Sequence, residues 1–160
     1  ISADPLPKSA QRVQNILDEH NLALQVVEFP ESTRTAQEAA DAIGCEVCQI
    51  AKSLIFRRKR TDKPVLVIAS GANRVNEKAL RDHLGEKVEK ADADYAQLHT
   101  GYAIGGIPPV GHVEAIETFI DEDLLIHECI WAAAGTPHAV FRLTPQALVE
   151  ITGGEIISVK

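Results

Sequence analysis

Apolar positions along the chain switch between a helical and a strand rhythm. Val13, Ile16 and Leu17 recur at the spacing of one helix face, which predicts a first helix from Ser9 to about His20, ending near Asn21. Gln25 to Phe29 follows as a short strand. Thr35 and Glu38 have capping-box spacing, so hydroxyl and carboxylate satisfy the opening amides of a helix that reaches Ile43 and stops at Gly44. A short turn or helix leads through Cys48. Ser53 to Phe56 then enters a strand, Thr61-Asp62-Lys63-Pro64 turns, and Val65 to Ala69 returns, which predicts a hairpin.

Asn76 to Leu84 reads as a helix closed by Gly85, and Asp92 or Asp94 opens another through Leu98. Gly101 to Gly111 is a loop rich in both Gly and Pro. Beyond it, His112 to Ile116, Phe119 to Ile120, Leu124 to Trp131 and Ala139 to Leu143 are expected as strands. Thr144 caps a last helix with Pro145 at its first position and Gly153 as its stop, and Ile156 to Val159 is the final strand. No linker, low-complexity stretch or internal repeat interrupts this order. Hairpins outnumber β-α-β units, so residues 1–160 are expected to form a single α/β domain in which helices surround a mixed, curved, barrel-like β-sheet.

Composition narrows the setting. No apolar run approaches the roughly 20 residues that span a bilayer. Ile1-Ser-Ala-Asp-Pro-Leu-Pro-Lys8 carries no signal-peptide pattern, so a cytoplasmic location without a membrane partner is expected, as a monomer by default. The odd cysteine number, 3, argues for reduced thiols. Cys45-Glu46-Val47-Cys48 has C-x-x-C spacing, but zinc usually wants four ligands and Cys129 lies far along the chain, so no metal and no other cofactor is expected. The net charge of −7 disfavours nonspecific binding to a phosphate backbone. Its distribution is uneven: Lys52, Arg57, Arg58, Lys59, Arg60 and Lys63 are concentrated in one stretch, Glu114, Glu117, Asp121, Glu122, Asp123 and Glu128 in another. A two-faced domain follows, although a run such as Arg57 to Arg60 also fits a solvated strand end.

Some residues invite chemistry. Lys52 follows apolar Ile50 and precedes Leu54 and Ile55, so its stem can be buried while its ammonium faces a cleft, where it suits a phosphate or the charge developing on an ester. The bland alternative is a surface lysine. Ser53 beside it suggests a Ser-Lys nucleophile, but neighbours on a strand point to opposite faces, so the two are not expected to share a site. Gly105-Gly106-Ile107-Pro108-Pro109 either brings backbone amides close to a ligand on a stiffened loop or is a tight structural turn. His112, beside Gly111, is a candidate for a pocket, whereas His127 and Cys129 read as structural.

Three segments resemble the YbaK/ProX family of prolyl-tRNA editing domains. They are Gln49-Ile50-Ala51-Lys52-Ser53-Leu54-Ile55-Phe56, then Tyr102-Ala103-Ile104-Gly105-Gly106-Ile107-Pro108-Pro109-Val110-Gly111-His112, and Trp131-Ala132-Ala133-Ala134-Gly135-Thr136-Pro137-His138-Ala139-Val140-Phe141-Arg142-Leu143. Thr33-Arg34-Thr35-Ala36 is also similar, so the resemblance spans about Thr33 to Gly153. It implies a compact domain like that associated with prolyl-tRNA synthetase, free-standing or inserted, which cleaves the ester between a wrong amino acid and the 3′-terminal ribose of tRNA without a metal. A synthetase pocket gains only about 1–3 kcal/mol of discrimination from one missing methylene, so a second pocket adds selectivity.

By this resemblance Lys52, Gly105, Gly106 and His138 are the catalytic candidates. Arg34, Thr35, Ile107, Pro108, Pro109, Gly111, His112 and Gly135 are the substrate-binding ones. The implied activity is trans-editing of tRNA(Pro) carrying Ala, Cys or another small amino acid, by water assisted by the ribose 2′-hydroxyl, with the tRNA acceptor end and prolyl-tRNA synthetase as partners. Arg34 and the stretch from Arg57 to Arg60 are candidates for holding the acceptor stem. Pro108 stands where many relatives carry Ser or another small residue, which leaves the amino acid open. The main rival is a noncatalytic aminoacyl-tRNA or nucleotide-binding module. A third reading is a metal-dependent hydrolase built on Cys45, Cys48 and a histidine.

Overall fold

The computed structural model describes residues 6–160; residues 1–5, part of the stretch inspected for a signal sequence, lie outside the described residues. Helix α1 (Lys8–Glu19) turns Ala10, Val13 and Leu17 inward and buries them completely. Strand β1 (Val26–Glu28) leads to α2 (Ala36–Ile43). There the reciprocal cap forms as read: Thr35 Oγ1 accepts from the Glu38 N–H at 3.1 Å, and Glu38 accepts from the Thr35 N–H at 3.3 Å. A 3-10 turn (Val47–Gln49) feeds β2 (Ile50–Arg58), which returns as β3 (Pro64–Ser70) in the expected hairpin. Then come α3 (Glu77–Leu84), β4 (Val88–Lys90), α4 (Ala93–Thr100), β5 (Glu117–Asp121), β6 (Ile130–Ala133), β7 (Ala139–Leu143), α5 (Pro145–Thr152) and β8 (Glu155–Ile157).

The strands form one mixed sheet of order β1-β7-β6-β2-β3-β5-β8, with β4 paired to β2 off this path. Contacts β2/β6, β3/β5 and β5/β8 are parallel, and the rest are antiparallel. Central β3 is covered on both sides, so Val65 to Ala69 is a continuous apolar run at 0% exposure. On one face Ala51, Ile55, Leu66 and Ile68 pack with α1 and α5. On the other, Phe56, Val65 and Val67 pack with Leu80 of α3, while Ile50 packs separately with Ala39 and Ala40 of α2. Among the described residues no helix is long and apolar enough to cross a membrane.

Three local expectations need correction. His112 to Ile116 is not a strand but the end of a long loop. Strand β3 begins at Pro64, and its parallel ladder with β5 starts at Val65 opposite Glu117, so the earlier residues have no neighbour to pair with. Leu124 to Trp131 is not one strand either. Glu122–Ile126 forms a 3-10 turn capped by Asp121, which accepts from the Asp123 N–H at 2.9 Å, and pairing resumes only at Ile130. Strand β4 was not anticipated, because its one buried apolar residue, Val88, leaves no alternation to read.

The loop from Gly101 to Ile116 is held at several points. The phenol of fully buried Tyr102 donates to the Gly111 carbonyl at 3.2 Å, and the Arg12 guanidinium lies 4.8 Å over the Tyr102 ring. His112 Nε2–H donates to the Pro108 carbonyl at 2.8 Å. The Gly135 N–H donates to the Gly106 carbonyl at 2.8 Å, so two backbones meet where a Cβ on Gly106 would sit 2.8 Å from the Thr136 carbonyl carbon.

Two outcomes follow. Gly106→Ala forces this backbone contact apart and is expected to cost about 1–3 kcal/mol, read as a lower urea midpoint; an unchanged midpoint would contradict the apposition. Burial holds the His112 imidazole below its ordinary value of 6.5, the bond to Pro108 opposing. The unfolded chain therefore takes up this proton first, so stability is whole above about pH 6.5 and is lost as pH falls from there to the folded value. The stability difference between pH 7.5 and 5.5 is expected to shrink in His112→Gln, and an equal difference would show that His112 does not titrate in this way.

Candidate functional site

Strand β2 pairs with β3 from Ala51 to Arg57, but its other side is shared. Strand β6 occupies it only at Ile50 and Ala51, and β4 only from Phe56 to Arg58. Between them the edge at Lys52, Ser53 and Leu54 has no strand partner, and Ile55 offers its carbonyl to the Ala91 N–H at 3.0 Å. The Ile50 carbonyl points the opposite way, to Gly71. By strand alternation the Ser53 peptide therefore turns its N–H and C=O into the gap.

A cavity of ≈ 320 Å³ occupies this gap, bordered by Thr33 to Ala36 at the start of α2, by Ile50 to Leu54, by Ile104, Gly105 and Ile107 of the loop, and by Trp131 to Ala133. Because it lies at the strand edge, it touches residues from both faces. Lys52 and Ser53 point to opposite sides of β2, as strand alternation requires, so the two residues border the cleft without forming a Ser-Lys pair. Two hydroxyls there, Thr33 Oγ1 and Ser53 Oγ, are buried without a hydrogen-bond partner among the described residues, and Thr33 is only 5% exposed. Neither was singled out as a binding residue from sequence, since nothing in the letters shows which hydroxyl lacks a partner.

Of the residues named from sequence, Lys52, Arg34, Thr35, Gly105 and Ile107 converge on this cavity. Gly105 has φ 95°, and a Cβ there would lie 2.4 Å from Arg34 Cγ, so the arginine stem rests on bare backbone. The Gly106 N–H is committed to the Ala103 carbonyl at 3.0 Å, whereas the Gly105 and Ile107 amides donate to nothing among the described residues. Gly106, Pro108, Pro109, Gly111, His112, Gly135 and His138 do not line it. Pro108 and Pro109 are buried within the loop. Gly111 and His112 border a separate hollow beside Ile16. Gly135 packs against the first turn of α1, where a Cβ would meet the Ser9 carbonyl at 2.7 Å. His138 shares its Nδ1 hydrogen bond with the Glu31 carbonyl at 2.9 Å, and its own carbonyl accepts from the Phe29 N–H at 2.8 Å.

Charge separates the basic residues into two groups. Arg57 pairs with Glu89 and Asp62, Arg58 with Glu86 and Glu117, Lys59 with Glu89 and Arg60 with Glu86. Lys52 has no such partner among the described residues. Burial, and after it the like charges of Lys90 and Arg74, hold its ammonium below the ordinary lysine value, with Asp121 opposing. Cys45 and Cys48 are half-buried free thiols, each raised above its ordinary value chiefly by burial. No group of three or more His, Cys, Asp or Glu side chains among the described residues is arranged to hold a metal ion.

The chain is similar to YwhH of Bacillus subtilis, an uncharacterised protein, at 30% identity over 92% of this chain and 94% of the other. It is also similar to the Enterococcus faecalis protein EbsC, named as a candidate Cys-tRNA(Pro)/Cys-tRNA(Cys) deacylase, at 26% identity over 90% and 89% of the two. A crystal structure described as that of a candidate trans-editing enzyme for prolyl tRNA synthetase superposes with a TM-score of 0.91 at 43% identity, covering 98% of this chain and 99% of the other. The family model of the aminoacyl-tRNA editing domain matches residues 30–151, which include the strand edge, the glycine loop and the β6–β7 turn, and this chain belongs to that family.

Proposed function

We propose that the chain hydrolyses the ester of mischarged aminoacyl-tRNA in trans, with tRNA(Pro) carrying Ala, Cys or another small amino acid as the first candidates. The observation that carries this reading is one cleft of ≈ 320 Å³ bordered by Lys52, by Gly105 and Ile107 of the loop, and by Thr33 and Ser53. A volume of that size is at the small end of ligand cavities and suits a small aminoacyl group with part of its ribose. The names of EbsC and of the similar crystal structure support the same class of substrate.

The reaction needs little from side chains. Water adds to the ester carbonyl, the carbonyl oxygen becomes anionic, and the bond to the ribose oxygen then breaks, leaving a free amino acid and a ribose hydroxyl that takes up the proton. The unengaged Gly105 and Ile107 amides are donors for the oxyanion, and the Lys52 ammonium opposes its charge. One such donor is worth about 2.7–4 kcal/mol in hydrolases where it has been removed. The vicinal 2′-hydroxyl positions the water and relays its proton. His138, bonded to the segment that carries Thr33 and Arg34, acts as a positioning residue.

Two experiments test the reading. Ala-tRNA(Pro), Cys-tRNA(Pro) and Ser-tRNA are each given to the protein and to Lys52→Gln, which is expected to slow deacylation about a hundredfold. Tight binding of all three without turnover by the wild-type protein would favour the noncatalytic module, and tRNA ending in 2′-deoxyadenosine cleaved at the normal rate would exclude assistance by the ribose. Thr33→Val and Ser53→Ala remove hydroxyls that are buried without partners among the described residues, so each is expected to raise stability by up to about 1–3 kcal/mol. Destabilisation by both would show that these hydroxyls are satisfied in the free protein.

A further inference from the structure

Next to the aminoacyl cleft, and continuous with it through Lys52, Leu54 and Lys90, lies a second basin of ≈ 430 Å³. Lys52, Leu54 and Phe56 are alternate residues of β2 and share a face. Lys90 of β4 stands directly across from Phe56 in antiparallel register, which puts it on that face too. Arg74 and Val75 come from the β3–α3 connection and Glu77 from the first turn of α3 to complete the wall. The basin therefore gathers three cations against one carboxylate, Glu77.

This arrangement is unusual for the chain. The net charge is −7, and the run from Arg57 to Arg60 is neutralised by neighbouring carboxylates. Yet Lys52, Arg74 and Lys90 make no ion pair among the described residues, and each of Lys90 and Arg74 depresses the Lys52 pKa after burial has done so. Gathered cations of this kind concentrate an anion from solution. The floor also indicates what kind of anion. Phe56 is 3% exposed and offers no free ring for a base to stack on, so the basin suits a phosphate and not a nucleobase.

We propose that Arg74 and Lys90 form a phosphate subsite that holds the phosphodiester backbone of the single-stranded RNA 3′ end just outside the aminoacyl cleft. This rests on the deacylase reading for the identity of the RNA, but its test does not. An uncharged, fluorescein-labelled RNA tetranucleotide with the tRNA 3′ sequence is titrated with protein, and anisotropy is followed across a salt series. Arg74→Gln and Lys90→Gln are each expected to weaken binding about fivefold, and the slope of log affinity against log salt to flatten by about 0.7 for each phosphate contact removed. Glu77→Gln is expected to tighten binding, and Lys78→Gln, on the exposed side of α3, to leave it unchanged. Thermal melting establishes that each variant is folded.

A second arm uses the alanyl ester of adenosine, which has no phosphate. The Arg74 variant is expected to hydrolyse it at the wild-type rate while showing a raised KM and an unchanged kcat on whole mischarged tRNA. An equal loss on the phosphate-free ester would place Arg74 in the chemistry of the ester and overturn the subsite. So would a double variant that binds the tetranucleotide within twofold of wild type with the same salt slope. If no ester is hydrolysed by any variant but tetranucleotide affinity still depends on Arg74 and Lys90, the subsite stands and the deacylase reading falls.

Discussion

The site depends on an interruption in hydrogen bonding along one strand. Strand β2 runs from Ile50 to Arg58, but the partners on its outer side, β6 and β4, are 4 and 3 residues long and reach only its two ends. An open strand edge normally invites pairing with another chain. Here it is walled by the capped start of α2, the glycine loop and strand β6, so what remains is a cleft and not a sticky edge. Moving β6 by even a few residues along β2 would close it. The same interruption explains why residues from both faces of the strand border one cavity, which uninterrupted pairing forbids.

Charge is partitioned with similar economy. Glu86 has a side chain only 4% exposed, yet it bonds Arg58 at 3.0 Å and accepts from Thr61 Oγ1 at 3.0 Å, so it belongs to a local network that ties the β2–β3 turn to β4. Exposed pairs around it add little to stability. Their larger effect is to remove Arg57 to Arg60 from the field that an incoming anion feels. The acidic stretch is likewise used internally: Asp121, fully buried, accepts from the Ser70 N–H at 3.0 Å and from Asn73 Nδ2 at 2.8 Å. At the cleft, Lys52, Arg74 and Lys90 stay without an ion pair among the described residues, so a chain of net negative charge gathers three cations there.

Much of this was legible in the letters where a rule is local. The capping box at Thr35, the Asn76, Asp92 and Thr144 caps and the stops at Gly44, Gly85 and Gly153 each depend on a few adjacent residues, and they fell where expected. Pairing is not local, so β4 and the true start of β5 escaped, and the apolar run at Leu124 read as strand when it is a 3-10 turn. The site divided in the same way. Lys52, Gly105, Arg34, Thr35 and Ile107, named through the segments that resemble the editing family, line one cavity. Thr33, Ser53, Lys90 and Arg74 were not named as binding residues, because a missing partner and a shared basin exist only after the chain has folded.

The glycines show that loop positions near a site need not all face it. Gly105 gives its backbone to the cleft, while Gly106 and Gly135 spend their missing side chains on contacts with Thr136 and Ser9. Those contacts pin the backbone beside Gly105 and Ile107 against the β6–β7 turn, so this part of the loop is held by the protein alone. The Thr33 and Ser53 hydroxyls are a different case, each buried without a partner among the described residues. A buried hydroxyl without a partner costs stability. The wall of the cleft is therefore braced on its glycine side and carries a local cost on its hydroxyl side.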